Sequence, residues 1–196
     1  MTVFEEAYNK VIAGSEGGYA NDPTDKGGET YAGISRKFHP DWEGWKIVSE
    51  VKSQESEVSR INARLKADER VGILIKEFYK KEFWDMYAGD SLNPFVSAEL
   101  FDQAVNFGVG KAIEHLQRAI NLLNRNAKDY PDVPVDGGFG KKTFEGYKNC
   151  VAHNSVNHLC NLLNGFQMKR YIEIMEADHS QEKYAGWFSR VIIDKW

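Results

Sequence analysis

Apolar residues recur at helical spacing along most of this 196-residue chain, and one glycine-rich block near the N-terminus interrupts them. Glycine and proline break helices because glycine is conformationally permissive and proline lacks a backbone N–H donor. Before Phe38, the block 17–40 holds six such residues: Gly17, Gly18, Pro23, Gly27, Gly28 and Gly33. The pattern predicts a mainly α protein with one small excursion of glycine-rich loop and short strands, the strands lying near residues 31–34.

The predicted helices begin and end at specific residues. Thr2 and Glu5 form a capping-box pattern, so the first helix is predicted to begin there and to end near Gly14. Asn93-Pro94 is predicted to end the helix at 69–88, because proline disfavours a helical conformation at the residue before it. Further helices are predicted at 46–68, 69–88, 95–107, 111–126, 141–151, 154–177 and 180–194. The helix at 69–88 is predicted to bury Ile73, Leu74, Phe78, Phe83, Trp84 and Tyr87.

The charge distribution excludes several classes of partner. The chain carries 25 Lys and Arg against 29 Asp and Glu, a net charge of −4, and no segment is basic. Nucleic-acid binding is not expected, because phosphate contacts need clustered positive charge. The longest stretch without a charged residue, 149–168, is rich in Asn and His, so we predict no membrane span. The first residues lack the basic and apolar regions of a signal peptide, which favours synthesis and storage in the cytoplasm.

Metal and nucleotide sites are not predicted either. The five His residues lack the spacing of a helical zinc pair, and the two Cys residues lack metal-site spacing. The loop around Gly27 lacks the acids of a calcium-binding loop, and the run 138–143 departs from the pattern of a phosphate-binding loop. We therefore predict no metal and no cofactor.

Glu16, directly before the glycine-rich block, and Asp25, within it, have the pattern of a catalytic pair. Glu16 follows the end of the first predicted helix, where the negative end of the helix dipole raises the pKa of a carboxyl group. A carboxyl group that keeps its proton near neutral pH is a general acid for a leaving-group oxygen. Asp25 follows after eight intervening residues, and two such carboxyl groups facing across a cleft make a glycosidase site. The alternative is a solvated Glu at a helix end and an Asp that caps a turn.

The sequence also resembles one enzyme family along nearly its whole length. Residues 16–34 contain Glu-Gly-Gly-Tyr, Asn-Asp-Pro, Asp-Lys-Gly-Gly-Glu-Thr and Gly-Ile. This block resembles the N-terminal signature of glycoside hydrolase family 108, lysozyme-like N-acetylmuramidases of bacteria and phages, some of them described as secretion activator proteins. Residues 101–108 and 116–117 resemble a downstream helix pair of that family, and residues 186–191 resemble its C-terminal segment. Residues 135–143 are similar to a turn of peptidoglycan-binding modules.

The resemblance implies a lysozyme-like fold with Glu16 as the catalytic acid. Asp25 is then expected to position a water or to stabilise an oxocarbenium-like transition state, and Thr30 to orient that water. Phage-type lysozymes place five residues between the Asp and the Thr, whereas four separate them here. Tyr19, Asn21 and Asn106 are the expected sugar contacts. Residues 1–93 would be the catalytic part, and 94–196 a helical part that binds peptidoglycan.

The implied reaction is hydrolysis of the β-1,4 bond between N-acetylmuramic acid and N-acetylglucosamine, as in an endolysin. Two alternatives remain open at this point. A lytic transglycosylase needs a single Glu, and a non-catalytic peptidoglycan-binding or secretion-accessory protein would use the turn at 136–143. The expected partner is the glycan strand of peptidoglycan, without a cofactor. We also expect a monomer that reaches the wall or periplasm with the help of a holin-like partner.

Overall fold

The computed structural model describes residues 1–13, 17–22 and 27–191 of the chain. These residues belong to two compact units, an N-terminal unit of residues 1–82 and a C-terminal unit of residues 83–196. Helices predominate in both, and the described strands lie in the N-terminal unit. The predicted mainly α class is therefore confirmed. No helix of the described residues is long and apolar enough to cross a membrane.

The first helix begins at the predicted capping box. Helix α1 spans Val3–Tyr8, and a π-helical turn, Asn9–Ala13, extends it. Thr2 Oγ1 accepts a hydrogen bond from the Glu5 backbone N–H, and Glu5 Oε2 accepts one from the Thr2 backbone N–H. These two bonds satisfy donors that a helix N-terminus leaves unpaired. The other Glu5 oxygen lies 2.5 Å from Lys76 Nζ, so the same residue also ties α1 to a later helix.

The glycine-rich block forms a small antiparallel sheet. Strands β1 (Ala20–Asn21), β2 (Glu29–Tyr31) and β3 (Ile34–Ser35) are paired in that order. Ala32 and Gly33 connect β2 to β3, with φ angles of 49° and 78°. Positive φ at both central residues is what a two-residue hairpin turn of type I′ requires. The prediction of strands near residues 31–34 is confirmed, with the turn at its centre.

Three helices complete the N-terminal unit: α2 (Gly44–Gln54), α3 (Val58–Ala67) and α4 (Glu69–Tyr79). The predicted helical character of 46–68 is confirmed, but the segment forms two helices rather than one, because residues 55–57 between α2 and α3 are not helical. Each of the two helices buries apolar side chains, Val48 and Val51 on α2, Ile61 and Leu65 on α3.

The predicted helix at 69–88 is also divided. After α4 the chain continues as a π-helical turn, Lys80–Trp84, and a 3-10 turn, Asp85–Tyr87. The prediction that Ile73 is buried is wrong, because its side chain is 58% exposed. Val71, Ile75 and Phe78 form the buried stripe, at spacings of four and three residues. Ile73 follows Val71 by two residues, which places it on the opposite side of the helix.

The C-terminal unit consists of helices α5 (Pro94–Phe107), α6 (Val109–Leu123), α7 (Lys141–His153) and α8 (Val156–Ala177). A kinked 3-10 segment, His179–Arg190, follows them. The predicted helices from 95 to 177 are thus confirmed. The last predicted helix, 180–194, is a 3-10 segment as far as Arg190, and residues 192–194 lie outside the described residues. The centre of the unit is fully buried and mainly apolar, formed by Leu100, Phe101, Leu116, Ile120, Leu159 and Leu163.

Candidate active site

The two predicted carboxylates, Glu16 and Asp25, lie outside the described residues. The described structure resumes at Gly17, directly after Glu16, and at Gly27, two residues after Asp25. The candidate site is therefore described through its frame, which is the sheet and the residues that hold it.

The glycine pair after Glu16 is explained by close contacts on two sides. A Cβ atom at Gly17 would lie 3.3 Å from the Ala32 Cα atom, against the hairpin turn. A Cβ atom at Gly18 would lie 2.8 Å from the Asn62 side-chain oxygen. The first distance is tight and the second is too short for real atoms, so a side chain at either position would displace its neighbour. The Gly-Gly sequence thus lets the chain after Glu16 pass between the hairpin and α3.

The hairpin turn is held from the side of α4. Tyr79 donates a hydrogen bond from its hydroxyl to the Ala32 carbonyl oxygen over 2.9 Å. Burial of the Tyr79 ring raises the pKa of its hydroxyl well above the ordinary value, so it remains a donor. Ser35 Oγ donates to the Gly27 carbonyl oxygen over 2.6 Å and joins the two ends of the segment 27–35.

Glu29, on β2, is the centre of an ionic cluster. Its carboxylate lies 2.6 Å from Lys52 Nζ and 2.8 Å from Arg36 Nε, and it accepts a hydrogen bond from the Tyr19 hydroxyl over 3.0 Å. The Glu29 side chain is only 15% exposed. Burial by itself would raise the pKa of Glu29, but the hydrogen bonds from Lys52 and Tyr19 and the charge of Arg36 together hold the pKa below its ordinary value of 4.5. Glu29 is therefore ionised at neutral pH and ties β2 to α2.

Two other predicted site residues, Asn21 and Thr30, lie on strands of the sheet, and Tyr19 directly precedes β1. Asn21 pairs with Glu29 across the sheet, so the two side chains share a face, and Asn21 is exposed. Thr30 is next to Glu29 on β2 and points to the opposite face, because side chains alternate along a strand. Tyr19 is 6% exposed, and its hydroxyl already binds Glu29. Their predicted contacts with water or sugar remain predictions.

Asn106, the remaining predicted sugar contact, belongs to the C-terminal unit. Its side-chain amide donates to the Asp102 backbone carbonyl over 2.6 Å, one turn earlier on α5. Asp102 in turn binds Arg190 of the 3-10 segment over 3.3 Å. Asn106 thus belongs to a polar cluster of its own unit, and its predicted role toward the sugar remains a prediction.

In the C-terminal unit, the loop before α7 is organised by one buried amide. Gln117 Oε1 accepts hydrogen bonds from the backbone N–H groups of Asp136 and Gly137, each over 3.0 Å. Its Nε2 donates to Asp136 Oδ1, over 2.8 Å, and is also within 3.0 Å of the Gly138 carbonyl and of Thr143 Oγ1. The turn at 136–143 that the sequence singles out is therefore fixed from the core of its unit.

The same unit also contains a buried polar pair, His115 and Gln103. His115 is 3% exposed, and its Nδ1 lies 2.7 Å from Gln103 Oε1. Gln103 Nε2 donates a hydrogen bond to the Leu163 carbonyl, which leaves Gln103 Oε1 facing His115. Because this oxygen can only accept, His115 Nδ1 carries the proton. Burial, with the positive charges of Arg118 and Lys111, lowers the pKa of His115 from 6.5 to about 4. The imidazole is therefore neutral at pH 7.

An open cavity of about 390 Å³ lies in the N-terminal unit between the loop after β3 and α4. Aromatic rings of Phe38, Trp42 and Phe78 line it, together with the carboxylates of Asp41 and Glu77. Phe38 is 65% exposed and offers the flat apolar face on which a sugar ring can stack. Among the described residues, no cluster of three or more His, Cys, Asp or Glu side chains is arranged to bind a metal.

Sequence reasoning missed Glu29, Lys52 and Asn62, three residues that hold this frame. Glu29 and Tyr31 are two residues apart on β2 and so share a face of the strand, and a charge on a face that also carries an aromatic ring needs a partner, which is a usable signal. Lys52 and Asn62 carry no such signal. They are 23 residues from Glu29 and 43 residues from Tyr19, respectively, and only folding brings them close.

The comparison with protein families decides the identity of the N-terminal half. The family model of glycosyl hydrolase 108 matches residues 9–108, just over half of the chain. The chain belongs to glycosyl hydrolase family 108. The match includes the whole sheet, the helices from α2 to α5, and the positions of Glu16 and Asp25. The family resemblance and the lysozyme-like fold expected from the sequence are thereby confirmed.

The remainder of this family 108 member matches a second family model, a predicted peptidoglycan domain, over residues 111–192. The chain is also similar to a solved structure, SagA of Brucella abortus, with 25% sequence identity and a TM-score of 0.60. That similarity covers 96% of this chain and 88% of SagA. No curated protein matches the sequence. The two family matches identify a peptidoglycan-related hydrolase of the glycosidase class.

Proposed function

We propose that this protein hydrolyses the β-1,4 bond between N-acetylmuramic acid and N-acetylglucosamine in peptidoglycan, with Glu16 as the general acid. The observation that carries the proposal is the family 108 match, which spans Glu16, Asp25 and Thr30. The peptidoglycan domain that follows at 111–192 supports the choice of polymer. The division into a catalytic part at 1–93 and a wall-binding part at 94–196 remains part of the proposal.

In the proposed reaction, Glu16 donates its proton to the glycosidic oxygen as the bond to the anomeric carbon breaks. The hydroxyl group of a water molecule adds to that carbon, and the other proton of the water restores Glu16 to its acid form. Asp25 supplies the second carboxylate, and Thr30 orients the water. The frame around these residues supports this arrangement, because hydrogen bonds to Ala32, Gly27 and Glu29 fix the segments that adjoin both carboxylates.

The negative net charge bears on how the substrate is held. With a net charge of −4, the protein gains no general attraction to an anionic wall polymer. Hydrogen bonds and ring stacking in the N-terminal unit, for example on Phe38, then supply the binding. We expect lysis to depend less on ionic strength than it does for a basic lysozyme.

Mass spectrometry of fragments released from purified sacculi tests the proposal. Hydrolysis at the proposed bond leaves a reducing N-acetylmuramic acid at the new end of each fragment. An anhydro sugar at that end would identify a lytic transglycosylase, and N-acetylglucosamine at that end would contradict the proposed bond. Binding to sacculi without any fragments would favour the non-catalytic alternative.

A further inference from the structure

Helix α3 holds the backbone that directly follows Glu16. Asn62 Oδ1 accepts a hydrogen bond from the Tyr19 backbone N–H over 2.6 Å. The side-chain atoms of Asn62 also lie so close to Gly18 that a Cβ atom there would be 2.8 Å away. The Asn62 side chain therefore bonds the third residue after Glu16 and packs closely against the second.

Helix α2 holds the same segment through the Tyr19 side chain. Lys52 Nζ lies 5.2 Å from the centre of the Tyr19 ring, on its face, and 2.6 Å from Glu29. The Tyr19 hydroxyl donates to Glu29 as well. Tyr19 is thus held at its backbone by α3 and at its ring and hydroxyl by α2 and β2, which makes it a fixed point close to Glu16 in the chain.

We propose that Asn62 is a positioning residue for the general acid, and that α2 and α3 form a brace that keeps Glu16 in its working geometry. This inference rests on the proposed function. A displacement of about 1 Å at a catalytic group lowers the rate on the order of a hundredfold, so the acid needs a fixed backbone next to it. Asn62 provides that support from a helical segment that the sequence alone left without a role.

The test compares three variants by kcat, KM and the pH dependence of kcat on soluble peptidoglycan fragments. Asn62→Ala removes the acceptor, and we expect kcat to fall about tenfold to a hundredfold. KM should stay within about twofold, and the upper pH limit of kcat should shift, because the surroundings of the acid change. Asn62→Asp keeps an acceptor oxygen at the same place and should restore kcat to within about threefold. Lys66→Ala, at an exposed position of α3, is the matched control and should change nothing.

Gly18 offers a second test of the same contact. Gly18→Ala alone should lower kcat, because the added methyl group pushes Asn62 away from Tyr19. If that collision causes the loss, the double variant Gly18→Ala/Asn62→Ala should be no slower than Asn62→Ala, so the two losses should not add. Full additivity would contradict the proposed contact.

Hydrogen exchange of the Tyr19 amide shows whether the bond itself exists, independently of activity. The amide should be protected in the wild type and in Asn62→Asp, and should exchange at least tenfold faster in Asn62→Ala. Normal kcat and an unshifted pH profile in a folded Asn62→Ala variant would overturn the positioning role while leaving the proposed function intact. A wild type that releases no fragments would remove the proposed function and, with it, this role.

Discussion

Glu29 in the N-terminal unit and Gln117 in the C-terminal unit each hold a glycine-containing loop, but with different chemistry. Glu29 is a charged hub, with Lys52 and Arg36 as partners that are about one-third exposed. Gln117 is a neutral and fully buried amide that bonds mainly to backbone groups. Charged pairs respond to pH and salt, whereas neutral amides respond mainly to the loss of a partner. The contacts of Glu29 should therefore weaken at high salt and below pH 4.5, whereas the hydrogen bonds of Gln117 should respond to neither.

The largest effect is expected from removing the buried amide. Gln117→Ala leaves the N–H groups of Asp136 and Gly137 without their acceptor, and we expect a loss of about 4 kcal/mol in the unfolding free energy of the C-terminal unit. Urea unfolding followed by NMR signals of each unit measures it. Gln181→Ala, which removes a solvent-facing amide of the same unit, should cost less than about 0.5 kcal/mol. Equal losses in the two variants would show that the hydrogen bonds of Gln117 contribute no special stability to the C-terminal unit.

The stability of the C-terminal unit should depend on pH through His115. The pKa of His115 is about 4 in the folded protein and near 6.5 when the chain is unfolded, so the unfolded state binds the proton more tightly. The contribution of His115 to the unfolding free energy is therefore fully present above pH 6.5. It decreases as the pH is lowered toward 4, by about 3 kcal/mol in total. His115→Gln should remove this dependence, and His158→Gln, at an exposed position, should keep it. A wild-type unit that is equally stable at pH 7 and pH 4 would contradict the prediction.

The smallest of the three effects is expected at the charged hub. Glu29→Gln removes the charge between Lys52 and Arg36 and should lower the unfolding free energy of the N-terminal unit by about 2 kcal/mol. Because the pKa of Glu29 lies below 4.5, its contribution is complete above pH 4.5 and is lost as the pH falls below that value. Glu43→Gln, which breaks an exposed pair with Lys46, should have no measurable effect. A Glu29→Gln protein as stable as the wild type would show that the hub contributes no stability.

Local patterns predicted most of the fold, and their failures have physical causes. The capping box at Thr2 and the strand turn at Gly33 were predictable, because each depends on a few neighbouring residues. The prediction that Ile73 is buried fails, because helical spacing alone does not show which of two apolar stripes on a helix faces the core. Tertiary packing selects the stripe that begins at Val71.

The candidate site was predictable only in part. Glu16, Asp25 and Thr30 follow from the family resemblance, since their residue types lie at short spacings within one block. The contacts of Glu29 with Lys52 and of Tyr19 with Asn62 join residues far apart in the sequence, and no local pattern encodes such pairs. The block 16–34 therefore yields the proposed catalytic residues, but not the brace that we propose for them.

Whether Glu16 is the general acid can be tested by comparing Glu16→Gln with Glu6→Gln in the rate of fragment release from purified peptidoglycan. Glu6 is an exposed acid of α1 and serves as the matched control. With circular dichroism showing both proteins folded, we expect a loss of about 10² to 10⁴-fold for Glu16→Gln and wild-type rates for Glu6→Gln. A folded Glu16→Gln protein that releases fragments within about threefold of the wild-type rate would show that Glu16 is not the general acid.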